Sequence, residues 1–589
     1  MTSTPDISDS FTDTYPPPPP PPTPDSISNA ELEKQDASPG TPRNWFQRQF
    51  DSFKPAQGDA QILQPQLSAF ALQMIAIGGS IGTGLFIGSG QALAEGGAAG
   101  LLICYTLVSI LIYFMMQCLS ELAVTFPVPG AFSHYASRFI DTSWGFAIGW
   151  NYFMQWLILL PLELSAASMT FRFWGSLVPE GWLITIFFIL IIVINMMPVK
   201  VYGYAEIIFS LSKVIAIIGF LIFGSVILFG GIPGVDPVLD KYWKDPGPFT
   251  PAGFKGILSV FVTASFSFSG TEMCGLCAAE TPNPRKTIPK ASRQVFWRIL
   301  LFYISTLILV GLLVPYNDPK LVPRDEGNAV NSSPLVLALA IAEIPWLPSV
   351  MNVVILVSII SVGNSAIYAA SRTMVSLTQR GIAPKIFGYM DRCGRPLMAI
   401  LLTLSVGCLS YLSLIGDSAH TVFTWLLALS GLSSIFTWSS ICLSMILFRR
   451  SMKSQGRSLT ELGYLSNSGL FGAWFGFLFC IVILVAQVWI AISPPIGKTG
   501  GFLYALKICL GGFVVLGSFL GHKLYLRIAK GSFQFGYKPE EIDLISGRTE
   551  NDIEGEGLVY ESERIEAREG SWYYRTLRIL GIKRSTIGS

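Results

Sequence analysis

Charged side chains make up only 13% of the 589 residues, about half the ~25% usual in a soluble globular protein. A water-soluble fold of this length is thereby excluded. Histidine is rarer still, with 3 in the whole chain. His134, His420 and His522 form no Glu-x-x-His or triad spacing, and neither a serine elbow nor a phosphate-cradling glycine loop occurs. A membrane-embedded enzyme, such as an acyltransferase, would need a nucleophile or a His–Asp pair, so enzymatic chemistry is not expected. The 9 cysteines fall almost entirely in hydrophobic stretches or on the side rich in Lys and Arg, which argues against structural disulfides. Cys274-Gly-Leu-Cys277 has a metal or redox spacing, but no second Cys or His cluster accompanies it. No metal, no cofactor and no nucleic-acid partner is expected, and the net charge of +2 decides nothing.

What the chain has in place of charge is 51% hydrophobic residues. They gather into twelve runs, near 68–91, 99–120, 144–172, 182–198, 204–231, 253–278, 297–315, 347–376, 397–415, 421–447, 472–493 and 503–526. Each is long enough to cross ~30 Å of hydrocarbon, which takes about 20 helical residues. The expected fold is an all-α membrane protein of twelve transmembrane helices, with the lipid bilayer as its surroundings. The third and eighth runs are long for a simple crossing and are expected to tilt.

Residues 1–66 are polar, with a proline run at 16–22, and read as a disordered tail rather than a signal peptide. Residues 67–526 form the transmembrane domain, and 527–589 a charged, amphipathic C-terminal tail. Arg285, Lys286, Lys290 and Arg293 follow the sixth run. Arg380, Lys385, Arg392 and Arg395 follow the eighth, and Arg449, Arg450, Lys453 and Arg457 the tenth. With alternating crossings these loops share one side, which the positive-inside rule makes cytoplasmic, together with both termini. The opposite side carries the sequon Asn331-Ser332-Ser333, a glycosylation candidate, and an apolar stretch at 334–344 expected to lie along the membrane surface as a short helix.

Two hydrophobic runs are broken in the same manner, about 186 residues apart. The first reads Ile75-Ala76-Ile77-Gly78-Gly79-Ser80-Ile81-Gly82-Thr83-Gly84-Leu85-Phe86 and the second Ser265-Phe266-Ser267-Phe268-Ser269-Gly270-Thr271-Glu272. Lipid offers a backbone no hydrogen-bond partners, so residues that unwind a membrane helix belong where it lines a cavity. Close packing through Gly78-x-x-x-Gly82 is the structural alternative. As a pair at matching positions the breaks point to a secondary transporter's midplane site. Long third and eighth runs at the same offset imply two five-helix units, 1–5 and 6–10, inverted in the membrane, with two helices added.

Joined to their neighbours, these stretches resemble the fungal amino acid permeases, the yeast branch of the amino acid–polyamine–organocation superfamily. The resemblance rests on Leu72-Gln73-Met74-Ile75-Ala76-Ile77-Gly78-Gly79 and Gly82-Thr83-Gly84-Leu85-Phe86-Ile87-Gly88-Ser89-Gly90. It continues through Gly149-Trp150-Asn151-Tyr152, Pro161-Leu162-Glu163-Leu164, Gly270-Thr271-Glu272, the run Glu280-Thr281-Pro282-Asn283-Pro284-Arg285-Lys286-Thr287-Ile288-Pro289-Lys290-Ala291, and Ser454-Gln455-Gly456-Arg457-Ser458-Leu459. The chain departs from the family at Ser68-Ala69-Phe70-Ala71, Ala98, Tyr204 and Met445, and it lacks the Phe-Trp-Cys ending. Most of these changes lie on the cytoplasmic side, so they bear on regulation rather than on the substrate site.

The resemblance implies a proton-coupled symporter that imports amino acids across the fungal plasma membrane by alternating access. A non-transporting amino acid sensor of the same fold is the alternative, although such sensors carry far longer N-terminal extensions. Ser80, Thr83 and Gly84 are expected at the substrate carboxylate, where a half-helix N-terminus offers N–H groups. Phe266, Ser267 and Ser269 would receive the ammonium, with Phe266 as the gate. Asn151 is a further substrate-binding candidate; it, Trp156 and Asn364 stand on helices that should line the cavity, with interhelical glue as the alternative. Ionisable groups within the runs are Glu121, Glu163, Glu206, Lys213 and Glu272, each costing roughly 2.5–3.5 kcal/mol on insertion scales. Glu206, Ser210 and Lys213 share one helix face. Glu206 is expected near the cytoplasmic interface, within reach of water. Lys213, Glu121 and Glu272 are the proton-coupling candidates, with the proton as the coupling ion and sodium as the alternative. Proton-driven relatives carry a lysine matching Lys213. Lys34 and Lys54 are candidate acceptors for ubiquitin-ligase machinery.

Overall fold

The computed structural model describes Met74 and residues 78–128, 130–175, 177–276, 284–321, 333–392, 394–415, 419–495, 501–531 and 535–548. The chain divides into Met1–Lys54 and Pro55–Ser589. Every described residue belongs to the second unit, so Lys34 and Lys54, like Asn331 and Cys277, lie outside the described residues.

Helices are the only regular structure of any length among the described residues. A low-dielectric surround leaves the backbone no other way to satisfy itself segment by segment. The first helical stretch, Gly78–Thr125, has 48 residues, about twice what one crossing takes. It turns at Gly97, where φ is 76° and a Cβ would meet the Pro248 carbonyl oxygen at 2.5 Å. Only glycine fits such a corner. Its main part, beyond a π-helical turn at Gly84–Gly88, is α1 (Ser89–Thr125).

There follow α2 (Thr142–Phe171), α3 (Glu180–Met196), α4 (Val199–Leu228) and α5 (Gly253–Phe268). Next come α6 (Pro284–Arg298), α7 (Ser305–Leu313), α8 (Pro334–Ala340) and α9 (Leu347–Gln379). The last are α10 (Leu397–Gly407), α11 (Ala419–Ser454), α12 (Gly469–Ile492) and α13 (Phe502–Lys530). Among the described residues, eight helical stretches are long and apolar enough to cross a membrane, and three shorter apolar helices accompany them, α3, α5 and Leu301–Leu313.

Burial sorts these helices into centre and rim. The most apolar window of α2 is 94% buried inside the protein, that of α13 only 11%. The α2 helix packs against α9 and α11, and α5 packs against α1. By contrast, α13 turns Phe513, Leu516, Leu520 and Leu524 outward, which suits a helix facing lipid.

Two expectations are corrected here. The apolar stretch 334–344 does not lie along a surface as a whole: α8 buries Pro334, Leu335, Val336, Ala338 and Leu339, with Ser333 capping its first turn. Apolar side chains all round such a helix favour protein contact over an interface. The boundary at 526 is also early, since α13 runs to Lys530. Beyond it, residues 535–548 dock on the protein, with Ile542 4% and Leu544 2% exposed.

Candidate functional site

Both breaks lie within the stretches that the sequence singled out. In the first, Ile81 and Gly82 leave helical geometry between the turn at 78–80 and the π-helical turn at Gly84–Gly88. The Gly82 carbonyl accepts the N–H groups of both Leu85 and Phe86 at 3.1 Å. In the second, α5 stops at Phe268, Ser269 turns extended, and Gly270 takes φ 92° before a short helix, Met273–Leu276.

The breaks touch one another. A Cβ on Gly84 would lie 2.4 Å from the Ser267 Cα, and one on Gly270 would lie 2.9 Å from the Gly79 carbonyl oxygen. Both glycines therefore serve close approach of backbone to backbone.

Unwinding frees carbonyl groups, and each needs a donor. Around the first break the donors come from three different helical segments, and a fourth helix supplies an acceptor. Ser210 Oγ of α4 donates to the Met74 carbonyl at 2.7 Å, and Lys213 Nζ, also of α4, to that of Gly78 at 2.6 Å. Tyr303, just before α7, donates to Ser80 O, and Ser358 of α9 to Ile81 O at 3.1 Å. From α2, Glu163 Oε1 accepts the Thr83 hydroxyl at 2.7 Å.

Three ionisable side chains thus converge on the broken first segment: Lys213, Glu163 and Glu206, all 0% exposed. Lys213 also donates to Ser361 Oγ at 3.0 Å, and Ser361 in turn donates to Glu206 Oε2 at 2.7 Å. Glu206 therefore does not sit at a wet interface, as expected from its place in the run. The α4 face that it shares with Ser210 and Lys213 packs onto Gly78, where a Cβ would meet Ser210 Oγ at 2.6 Å and Glu206 Oε2 at 2.8 Å. Glu163 Oε2 has no partner among the described residues.

The second break is braced differently. The Glu272 carboxylate accepts the Gly270 N–H at 3.2 and 3.1 Å and Trp438 Nε1 of α11 at 3.3 Å. It stabilises the turn it belongs to. Ser267 Oγ bonds Tyr105 OH at 2.8 Å, and Ser269 Oγ accepts from Gln155 Nε2 at 2.6 Å. Phe266 is 5% exposed and lies against Gly431 of α11.

Other expected residues fall elsewhere. Asn151 directs its amide to Ser433 O at 3.0 Å and Thr437 Oγ1 at 3.4 Å, a brace between α2 and α11. Asn364 accepts from Asn195 of α3 at 2.8 Å. Trp156 is fully buried and faces Gly270 at 3.3 Å from its would-be Cβ. Glu121 lies remote from the breaks. It pairs with Arg449 at 2.6 Å and accepts the Ser466 N–H at 2.8 Å.

The sequence reading missed Gln155 and Tyr303. Gln155 stands one turn beyond Asn151 on the same helix face, so that spacing was the available signal. Tyr303 offered none, since a tyrosine in an apolar helix reads as packing. No group of His, Cys, Asp and Glu among the described residues is arranged to hold a metal ion.

The arrangement offers two unwound segments with carbonyls and hydroxyls at the centre of a helical membrane bundle, next to a buried lysine and two buried carboxylates. Known proteins point the same way. A family profile described as amino acid permease matches residues 71–532. The general amino-acid permease GAP2 of Candida albicans is 47% identical over 542 residues, covering 89% of this chain and 91% of the relative. The general amino-acid permease GAP1 of Saccharomyces cerevisiae is 46% identical over 509 residues, covering 85% and 83%. The cationic amino acid transporter 1 of Schizosaccharomyces pombe is 45% identical over 500 residues, covering 82% and 83%.

Proposed function

The chain belongs to the amino acid permease family, and on that premise we propose that it is a proton-coupled symporter importing amino acids across the plasma membrane by alternating access. The observation that carries the coupling is Lys213 Nζ on the Gly78 carbonyl, 2.6 Å away, at the broken first segment. A buried ammonium at that carbonyl fills the place that a coupling cation would take. Its hydroxyl-linked neighbour Glu206 and the nearby Glu163 supply carboxylates that can exchange the proton.

The supporting architecture is a set of twelve crossings. The turn at Gly97 divides the first 48-residue stretch into two, and the shorter helices supply the remainder. Two inverted five-helix units would pair the two breaks about a pseudo-twofold axis. Basic loops place both termini in the cytoplasm, leaving Asn331 outside for glycosylation and Lys34 and Lys54 inside for ubiquitin ligases. Relatives at 45–47% identity are named both as general permeases and as a cationic transporter, so identity at this level does not choose the substrate range.

The energetics are sufficient with one proton. About 2.3 kcal/mol per 100 mV and about 1.4 per pH unit together allow roughly 500-fold accumulation. The test is Lys213→Ala in a transport-deficient host. Binding or exchange should remain while uphill, pH-dependent uptake is lost. A mutant that still concentrates substrate with unchanged pH dependence would refute proton coupling through Lys213. Failure of the wild type to take up any labelled amino acid would favour the non-transporting sensor.

A further inference from the structure

We propose that Ser361 is a proton relay whose hydroxyl passes the coupling proton from Lys213 to Glu206, on its way to the cytoplasm. The inference rests on the reading of the chain as a proton-coupled transporter.

Three side chains stand in file, all 0% exposed. Lys213 Nζ donates to Ser361 Oγ at 3.0 Å, and Ser361 donates its own hydrogen to Glu206 Oε2 at 2.7 Å. A serine hydroxyl accepts and donates at once, so the two bonds already run in the direction of transfer. Glu206 precedes Lys213 by seven residues on α4, two turns or about 10 Å of helix. That is toward the end which the basic loops make cytoplasmic. The backbone of the first segment seals the file. A Cβ on Gly78 would meet Glu206 Oε2 at 2.8 Å and Ser361 Oγ at 3.3 Å, which leaves little space for a water to replace the hydroxyl.

The ionisable groups near the file are few. Lys213 and Glu206 come from α4, and Glu163 comes from α2, bonded to Thr83. The described part of the first segment has no ionisable side chain. From α9 the file receives the Ser361 hydroxyl, and Arg372 of that helix lies three turns further on, over the Tyr368 ring at 3.5 Å. Glu206 Oε1 has no partner among the described residues, whereas both oxygens of Glu272 are bonded to the turn they brace.

The step balances within the three groups. Lys213 Nζ gives one proton to Ser361 Oγ and keeps the electron pair of the broken N–H bond. The original Ser361 O–H bond breaks, and its proton forms a new O–H bond on Glu206 Oε2. Ammonium and carboxylate become amine and carboxylic acid, and the serine remains a hydroxyl. Water admitted when the cytoplasmic side opens then takes the proton from Glu206.

The test uses the full chain in a transport-deficient host. Ser361→Ala leaves Lys213 on the Gly78 carbonyl and removes the relay. Exchange of labelled for unlabelled amino acid needs no proton release and should stay close to wild type. Net uptake, with the alkalinisation of the medium that accompanies it, should fall roughly 10- to 100-fold. Ser361→Thr keeps a hydroxyl and should recover most of it. Glu206→Gln still accepts from Ser361 but takes up no proton, so it should show the same loss. The double variant Ser361→Ala/Glu206→Gln should lose no more than either, because both sit on one path. A structural role would lower binding, exchange and net uptake together. That outcome, full net uptake in Ser361→Ala, or losses that multiply in the double variant would overturn the relay. Wild-type uptake that draws in no protons would instead remove the proton-coupled reading itself.

Discussion

The centre of the molecule and the end where 130–141, 454–461 and 535–548 gather hold their charges in opposite ways. At that end, oppositely charged side chains touch directly. Arg449 meets Glu121 at 2.6 Å, Lys523 meets Asp141, and Arg138 meets Asp543 at 3.4 Å. Arg138 also donates to the carbonyls of Asp543 and Ser546, and Gln455 to those of Pro539 and Ile542, so the C-terminal segment straps two loops together. In the centre Glu206 and Glu163 are each bonded through a hydroxyl, whereas Glu272 accepts the Gly270 N–H directly. Ser361 links Glu206 to Lys213, and the Thr83 hydroxyl donates to Glu163. A direct buried pair fixes both charges, because removing either leaves its partner uncompensated. A hydroxyl can reverse its donor direction, so a carboxylate bonded through one tolerates both protonation states. The end is built to stay charged, and the centre to change.

Glu163→Gln tests this contrast most strongly. The amide oxygen can still accept from Thr83, so geometry should survive while the titrating group is gone. Initial uptake at pH 5 should fall by about 10- to 100-fold, and its dependence on external pH should flatten. Normal uptake with a normal pH profile would show that Glu163 is a fixed brace like Glu121.

Arg449→Ala probes the other side of the comparison. It leaves Glu121 buried with the Ser466 N–H as its remaining described partner, a change that costs about 3–5 kcal/mol. Thermal unfolding of the purified protein should report that loss, and surface abundance should drop. The uptake that remains should keep its pH profile. A shifted profile would bring Glu121 back as a coupling group. The double variant Arg449→Ala/Glu121→Gln should recover much of the stability, since it removes the orphaned charge.

The same contrast explains what the sequence could reveal. The breaks were legible because glycine and serine runs interrupt apolar helices, a local signal with a local cause. Lys213 was legible because a lysine ten residues into an apolar run has few physical options. Glu206 was misplaced at an interface because its depth depends on which helices cover α4, and α9 supplies that cover through Ser361. Tyr303 acts through a partner 223 positions away, which no periodicity announces, and the helical spacing that puts Gln155 on the face of Asn151 says nothing of its partner 114 positions away. The docking of 535–548 was equally hidden. That segment is polar and irregular, and its attachment depends on Arg138 and Gln455, roughly 400 and 85 residues upstream.

The smallest expected effect concerns His134, beside the strap. It lies in a short helix, Ala131–Tyr135, partly buried. Burial pushes its imidazole down to about 3, and the guanidinium groups of Arg380 and Arg138 add to that, with only Asp543 opposing. The native protein therefore keeps His134 neutral, whereas the unfolded chain binds a proton below about pH 6.5. Stability from this group is complete above that value and declines as the pH falls toward 3, because the unfolded state gains the proton first. Asp141 behaves oppositely. Burial pushes its carboxyl up, but bonds from Lys523 and from the N–H groups of Gly536 and Ser143 outweigh this and hold it below its ordinary value. Its contribution is lost only under pH of about 3.9. The interval from pH 7.5 to 5.5 thus isolates the histidine, at about 1 kcal/mol after allowance for its partial exposure. Wild type and His134→Gln, unfolded thermally in detergent at both pH values, should differ by that amount in how much stability each loses. Equal losses would mean that His134 protonates freely in the folded protein and that the strap's neighbourhood is wetter than its geometry implies.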